Sequence, residues 1–87
     1  MALFTQAQKR NILDANRQKN KGILRSDQSG EQAVQPQQST KGVKPPDNEA
    51  QVDHIQPKSL GGPNSYKNAQ VLTRKENIQK SDTPPSQ

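Results

Sequence analysis

Cysteine is absent from this chain of 87 residues, which excludes disulfide staples and cysteine-based zinc clips while leaving the redox compartment open. Tryptophan is absent too, and the only aromatic residues are Phe4 and Tyr66. Apolar residues other than glycine make up 25% of the chain, whereas ordinary domains carry roughly 45–50% with glycine included. A chain this short forms one small domain with a thin core. Marginal stability is expected, or help from a metal, a nucleic acid or a protein partner. Long apolar runs are missing as well, so no segment can span a bilayer and a membrane is not an expected partner. The opening Met1-Ala2-Leu3-Phe4 is too brief for the apolar stretch of a signal peptide. If the chain leaves its cell, it does so by another route or as a piece of a larger protein.

What is present is positive charge. Lysine and arginine number 13 against 8 acids, a net charge of +5. On charge alone that suits a nucleic acid, an anionic membrane surface or an acidic protein.

Residues 5–21 read as a helix, with Thr5 as N-cap, Gln8 as its reciprocal partner in a capping box and Gly22 as the stop. Its apolar stripe of Ala7, Ile12, Leu13 and Ala15 is weak. Arg10, Arg17, Lys19 and Lys21 make it basic, which fits either a solvated face or contact with phosphate. Residues 23–35 read as a hairpin: Ile23-Leu24-Arg25 and Gln32-Ala33-Val34 flank a turn containing Asp27, Ser29 and Gly30. Residues 35–48 have no period and are loop. A strand is expected over 49–55, ended by Pro57, then a loop with Gly61-Gly62-Pro63-Asn64, then a strand at Ala69-Gln70-Val71-Leu72. Thr73 and Glu76 form a second capping box, so a helix starts after Thr73 and runs to about Asp82, with Pro84 and Pro85 beyond.

The chemistry lies between Asp53 and Lys80. His54 is the only histidine. Asp53 beside it and Asn77 in the last helix offer a carboxylate and an amide oxygen, which suit a hard cation such as Mg²⁺ that shares its sphere with water and phosphate. An imidazole left out of the metal sphere accepts a proton from water. A cation on a phosphoryl oxygen plus a base that activates water is the minimal kit for phosphodiester hydrolysis. Neighbours in a regular strand point to opposite faces, so Asp53 and His54 serve one phosphate only if the strand ends or twists at His54. Taken singly, each group has a blander reading: a histidine in a strand, an amide cap, a glycine turn, a solvated lysine.

The ordered string changes this. Asp53-His54-Ile55-Gln56-Pro57-Lys58-Ser59, Gly61-Gly62-Pro63-Asn64-Ser65, Asn68-Ala69-Gln70-Val71-Leu72, then Asn77 and Lys80-Ser81-Asp82 resemble the HNH, or ββα-metal, endonuclease family over about thirty residues. The Asp-His-Ile and Val71-Leu72-Thr73-Arg74 segments also look like the HNH domain of CRISPR effector nucleases. The resemblance implies an α+β fold with a ββα-metal centre at residues 49–83, preceded at 1–48 by a helix, hairpin and connecting loop, and followed by a tail at 84–87. It implies His54 as general base and Asp53 and Asn77 as metal ligands. Asn68 would be the middle asparagine that ties the loop and holds the histidine segment. It further implies DNA contacts from Lys58, Arg74 and Lys80, and cleavage that leaves a 5′-phosphate. Glu49 is either an acid behind the ligands, a third ligand, or a solvated charge at the strand edge. Many family members carry two Cys-x-x-Cys pairs on a structural zinc. Here the matching places look like Ser26, Ser29, Thr73 and Glu76, so no structural zinc is expected and the Thr73–Glu76 box takes over part of its work. Asparagine rather than histidine at 77 tilts the metal toward Mg²⁺, with Mn²⁺ also admissible.

The N-terminal layout, with Lys41-Gly42-Val43-Lys44-Pro45-Pro46 and Asn48-Glu49-Ala50-Gln51-Val52-Asp53-His54, also looks like the C-terminal toxin modules of Rhs-type, contact-dependent and type VI-delivered bacterial polymorphic toxins. That narrower resemblance implies a nuclease delivered into the cytoplasm of a target bacterium, a cognate immunity protein, and Met1 as an introduced start. A stand-alone phage or mobile-element nuclease working in the cytoplasm, a non-catalytic nucleic-acid-binding HNH scaffold, and an RNase stay open beside it.

Overall fold

The computed structural model describes residues 3–37 and 41–80. Its elements are a helix α1 (Gln6–Lys19), a strand β1 (Ala50–His54), two single 3₁₀ turns (Lys58–Leu60 and Tyr66–Asn68), a strand β2 (Ala69–Thr73) and a short helix α2 (Arg74–Lys80). The fold class is α+β.

α1 begins where the sequence predicts. Thr5 Oγ1 accepts the Gln8 N–H at 3.1 Å, and Gln8 Oε1 accepts the Thr5 N–H at 2.8 Å. It ends with Lys21 in the left-handed region and Gly22 at φ 87°, the Gly22 N–H returning to the Arg17 carbonyl at 2.7 Å. The expected hairpin at 23–35 forms only in part. A single antiparallel bridge joins Arg25 to Gln32 around the turn, and Val34 instead makes a parallel bridge to Glu49. Polar side chains explain why no longer ladder develops there. Ser26 Oγ accepts the N–H groups of Gln28 and Ser29, and Asn16 Oδ1 takes the Arg25 N–H, so several backbone donors are satisfied off the ladder.

β1 and β2 pair antiparallel, from Ala50 opposite Thr73 to His54 opposite Ala69. β2 is covered on both sides, with Val71 and Leu72, on opposite faces, both fully buried. Val71 and Ala50 join Phe4, Ile12, Leu13, Leu24 and Ala33 in the core beneath α1. The far edge of β2 is closed by Asp27. Its N–H donates to the Val71 carbonyl and its Oδ2 accepts the Val71 N–H, both at 2.7 Å, while Lys19 pairs with Oδ1 at 2.6 Å. α2 starts on the Thr73–Glu76 capping box. The expected end of that helix near Asp82, and the tail, lie outside the described residues.

Candidate functional site

β1 carries two sets of side chains to two different neighbourhoods. Gln51 and Asp53 share the face toward α2, whereas His54 points to the N-terminal segment and the following loop. β1 ends at His54, with Asp53 and His54 on opposite faces of it.

His54 is gripped on two sides. Its ring stacks on buried Phe4, with centroids 4.2 Å apart and planes 13° from parallel. Its Nε2 lies 2.6 Å from Asn64 Oδ1. The Asn64 amide donates through Nδ2 to the Leu3 carbonyl at 3.2 Å, which turns Oδ1 toward the ring. An amide oxygen only accepts, so Nε2 carries the hydrogen and Nδ1 is the ring's proton acceptor.

The loop from β1 to β2 is fixed by Asn68. Its Oδ1 accepts the Gln56 N–H at 2.8 Å, and its Nδ2 donates to the carbonyls of Gln56 at 3.1 Å and Pro63 at 2.9 Å. This satisfies a buried amide completely and sets the exit from His54. Gly62 lies so close to Gln56 that a Cβ there would sit 1.7 Å from the Gln56 carbonyl oxygen, which explains the glycine.

On the opposite face, Asp53 Oδ2 accepts from Gln70 Nε2 at 2.9 Å and pairs with Lys80 Nζ at 3.1 Å. Lys80 Nζ also donates to the His54 carbonyl at 3.1 Å. Lys80 therefore braces the end of β1 from one turn beyond Asn77. Asn77 is oriented by a relay. Glu49 Oε1 accepts from Gln51 Nε2 at 3.2 Å, so Gln51 presents Oε1, which accepts from Asn77 Nδ2 at 2.8 Å. The carboxylate can only accept, and that polarity leaves Asn77 Oδ1 as the atom for a cation. Glu49 thus stands behind Asn77.

Of the residues expected to contact DNA, Arg74 pairs with Asp47 at 3.4 Å and Lys80 is turned inward with its side chain 12% exposed. Lys58 is half-buried at the start of a 3₁₀ turn. Sequence reasoning missed Asn64, Gln51, Gln70 and Phe4. Two of these were within reach: Gln51 shares a strand face with Asp53, and Gln70 stands directly opposite it.

The donor set decides which cation would fit. Among the described residues no group of three or more histidines, cysteines or acids converges. One carboxylate and one amide oxygen suit a hard ion that keeps several waters and takes phosphate oxygens, and do not suit a soft one. Asp53 and Asn77 would hold such an ion.

Behind this site, Ser26, Ser29, Thr73 and Glu76 converge. Burial by itself pushes the Glu76 carboxyl up, but hydrogen bonds from Ser26, Ser29 and Thr73 outweigh it and hold the group below its ordinary value. Together they clasp the 26–29 turn to the start of α2.

No curated protein and no solved structure matched the chain. A family model described as HNH endonuclease does match, over residues 40–86, which takes in β1, the Asn68-pinned loop, β2 and α2. More than half of the chain fits that model, and the chain belongs to the HNH endonuclease family.

Proposed function

We propose that this chain is a metal-dependent DNA endonuclease with little sequence preference. The observation that carries the reading is His54 at the end of β1, its Nε2 committed to Asn64 and its Nδ1 left as base. In the step this implies, Nδ1 takes a proton from water, and the oxygen attacks phosphorus in line. The bond from phosphorus to the 3′ oxygen breaks and that oxygen takes a proton from a second water, leaving a 5′-phosphate and a 3′-hydroxyl. A divalent ion, Mg²⁺ or Mn²⁺, held by Asp53 and Asn77 would supply charge stabilisation at the leaving oxygen. Asn64 and Phe4 hold the imidazole, Asn68 holds the loop, and Gln51 with Glu49 orients Asn77.

A narrower reading goes with it. The chain serves as the toxin module of an interbacterial competition system, delivered into the cytoplasm of a target bacterium and neutralised by an acidic immunity protein. Its support is the likeness of the N-terminal layout to polymorphic toxin modules and the net charge of +5. Expression without a partner in a bacterial cytoplasm should arrest growth, and His54→Ala should relieve it.

The test is plasmid cleavage in Mg²⁺ buffer by wild type and His54→Ala, with an EDTA control. Nicking that disappears with EDTA and with His54→Ala supports the reading. A folded protein that cuts no DNA in Mg²⁺ or Mn²⁺ sinks it.

A further inference from the structure

α1 turns part of its basic face toward the strand that ends in His54. Lys9, Arg10 and Arg17 line one wall of an open groove of about 960 Å³, and Gln51 and Val52 at the outer edge of β1 line the other. The parallel bridge between Val34 and Glu49 holds the chain against that edge at one end of β1, and Gln35, Pro36 and Gln37 beyond it also line the groove. We propose that this groove carries the sugar–phosphate backbone of the DNA on one side of the scissile bond, an inference that rests on the nuclease reading above.

Charge and spacing both argue for it. Three cations face a single acid, Glu49, whose Oε1 already accepts from Gln51. Arg17 shares its charge with Asp14, while Lys9 and Arg10 enter no ion pair among the described residues. From Arg10 to Arg17 the helix advances about 10 Å, enough for its cations to meet more than one phosphate of a backbone laid along it. The groove also adjoins the strand that bears the chemistry. Val52 and His54 share a strand face, about 7 Å apart along β1. An acidic protein would gain nothing from that proximity, whereas a strand whose phosphate reaches His54 must continue along one side or the other.

The test separates this inference from the nuclease reading by measuring binding without catalysis. Affinity for a fluorescein-labelled DNA duplex is followed by anisotropy in EDTA across a salt series. The proteins are wild type, His54→Ala, Lys9→Gln/Arg10→Gln, Arg17→Gln, and Lys21→Gln/Lys67→Gln as a charge-matched control. Each lost phosphate contact lowers the slope of log K against log salt by about 0.9. We expect a drop of about 1.8 for Lys9→Gln/Arg10→Gln, about 0.9 for Arg17→Gln, and less than half of the larger drop for the control, with His54→Ala unchanged. Arg17→Gln reads the groove independently should the double variant fail to fold. Groove variants that keep the wild-type slope overturn the inference, including the case in which the groove takes an acidic protein instead. Cleavage by wild type and His54→Ala then judges the nuclease reading separately.

Discussion

A histidine can act as base through either ring nitrogen, and one neighbour decides which. Here Asn64 does so because its own amide is oriented by the Leu3 carbonyl. Replacing Asn64 with alanine removes the acceptor on Nε2 and lets the imidazole change tautomer and swing on Phe4. Positioned base catalysis contributes about 10²–10⁴-fold, so Asn64→Ala should lower kcat at least about tenfold with little change in KM. Steady-state cleavage kinetics check this. Equal loss in both parameters, or a lower melting temperature that accounts for the loss, would assign Asn64 to the scaffold alone. The same logic applies to Asn77, whose ligand oxygen is chosen two residues away by the Glu49 carboxylate through Gln51.

Among the elements, α2, described over Arg74–Lys80, starts on a side-chain cap. Its capping box contributes about 1 kcal/mol, and the Ser26 and Ser29 hydroxyls reaching Glu76 lock it to the preceding turn. That clasp is pH-sensitive in a definite direction. The folded carboxyl lies below its ordinary value of 4.5, so the folded state holds the charged form more firmly than the unfolded state does. The stabilisation is full above that ordinary value and drains away as pH falls through the lowered one. Urea midpoints taken from about pH 5 down to about pH 3 should therefore fall more steeply for wild type than for Glu76→Gln. Parallel profiles would show that the clasp contributes nothing to folding.

The whole molecule rests on few apolar residues. Leu72 is fully buried and lies on the face of β2 away from the main cluster. Leu→Ala at such sites costs about 2–5 kcal/mol, against roughly 0.05–0.15 kcal/mol of total stability per residue. Leu72→Ala should lower Tm by at least about 10 °C and leave a substantial unfolded fraction at growth temperature, measurable by circular dichroism. An unchanged Tm would mean that polar clamps carry the fold. Those clamps are numerous for so small a chain: Asn16 on Arg25, Asp27 on Val71, Asn68 on Gln56 and Pro63. They replace hydrophobic area with buried hydrogen bonds whose partners come from distant segments.

Local chemistry written in adjacent residues was legible from the sequence alone. Both capping boxes and the stop at Gly22 depend on contacts with backbone a few residues away, which local sequence specifies, and the strand expected over 49–55 spans Ala50–His54. The α+β class was the expectation carried by the family resemblance of the string from Asp53 to Asp82. Only the folded chain decided the rest. The 23–35 segment, with hairpin-like residues, kept a single antiparallel bridge because Asn16 and Ser26 took up backbone groups that a ladder would have used. Lys80, on a face that could have met phosphate, turned inward because Asp53 and the His54 carbonyl lie across from it. Asn64 and Phe4 reached His54 from positions 10 and 50 residues away in the chain, and the Glu49–Gln51–Asn77 relay joined β1 to α2. Spacing along the chain carries no information about contacts that form only when loop and helix are closed against the sheet, and these contacts orient the imidazole and the amide oxygen.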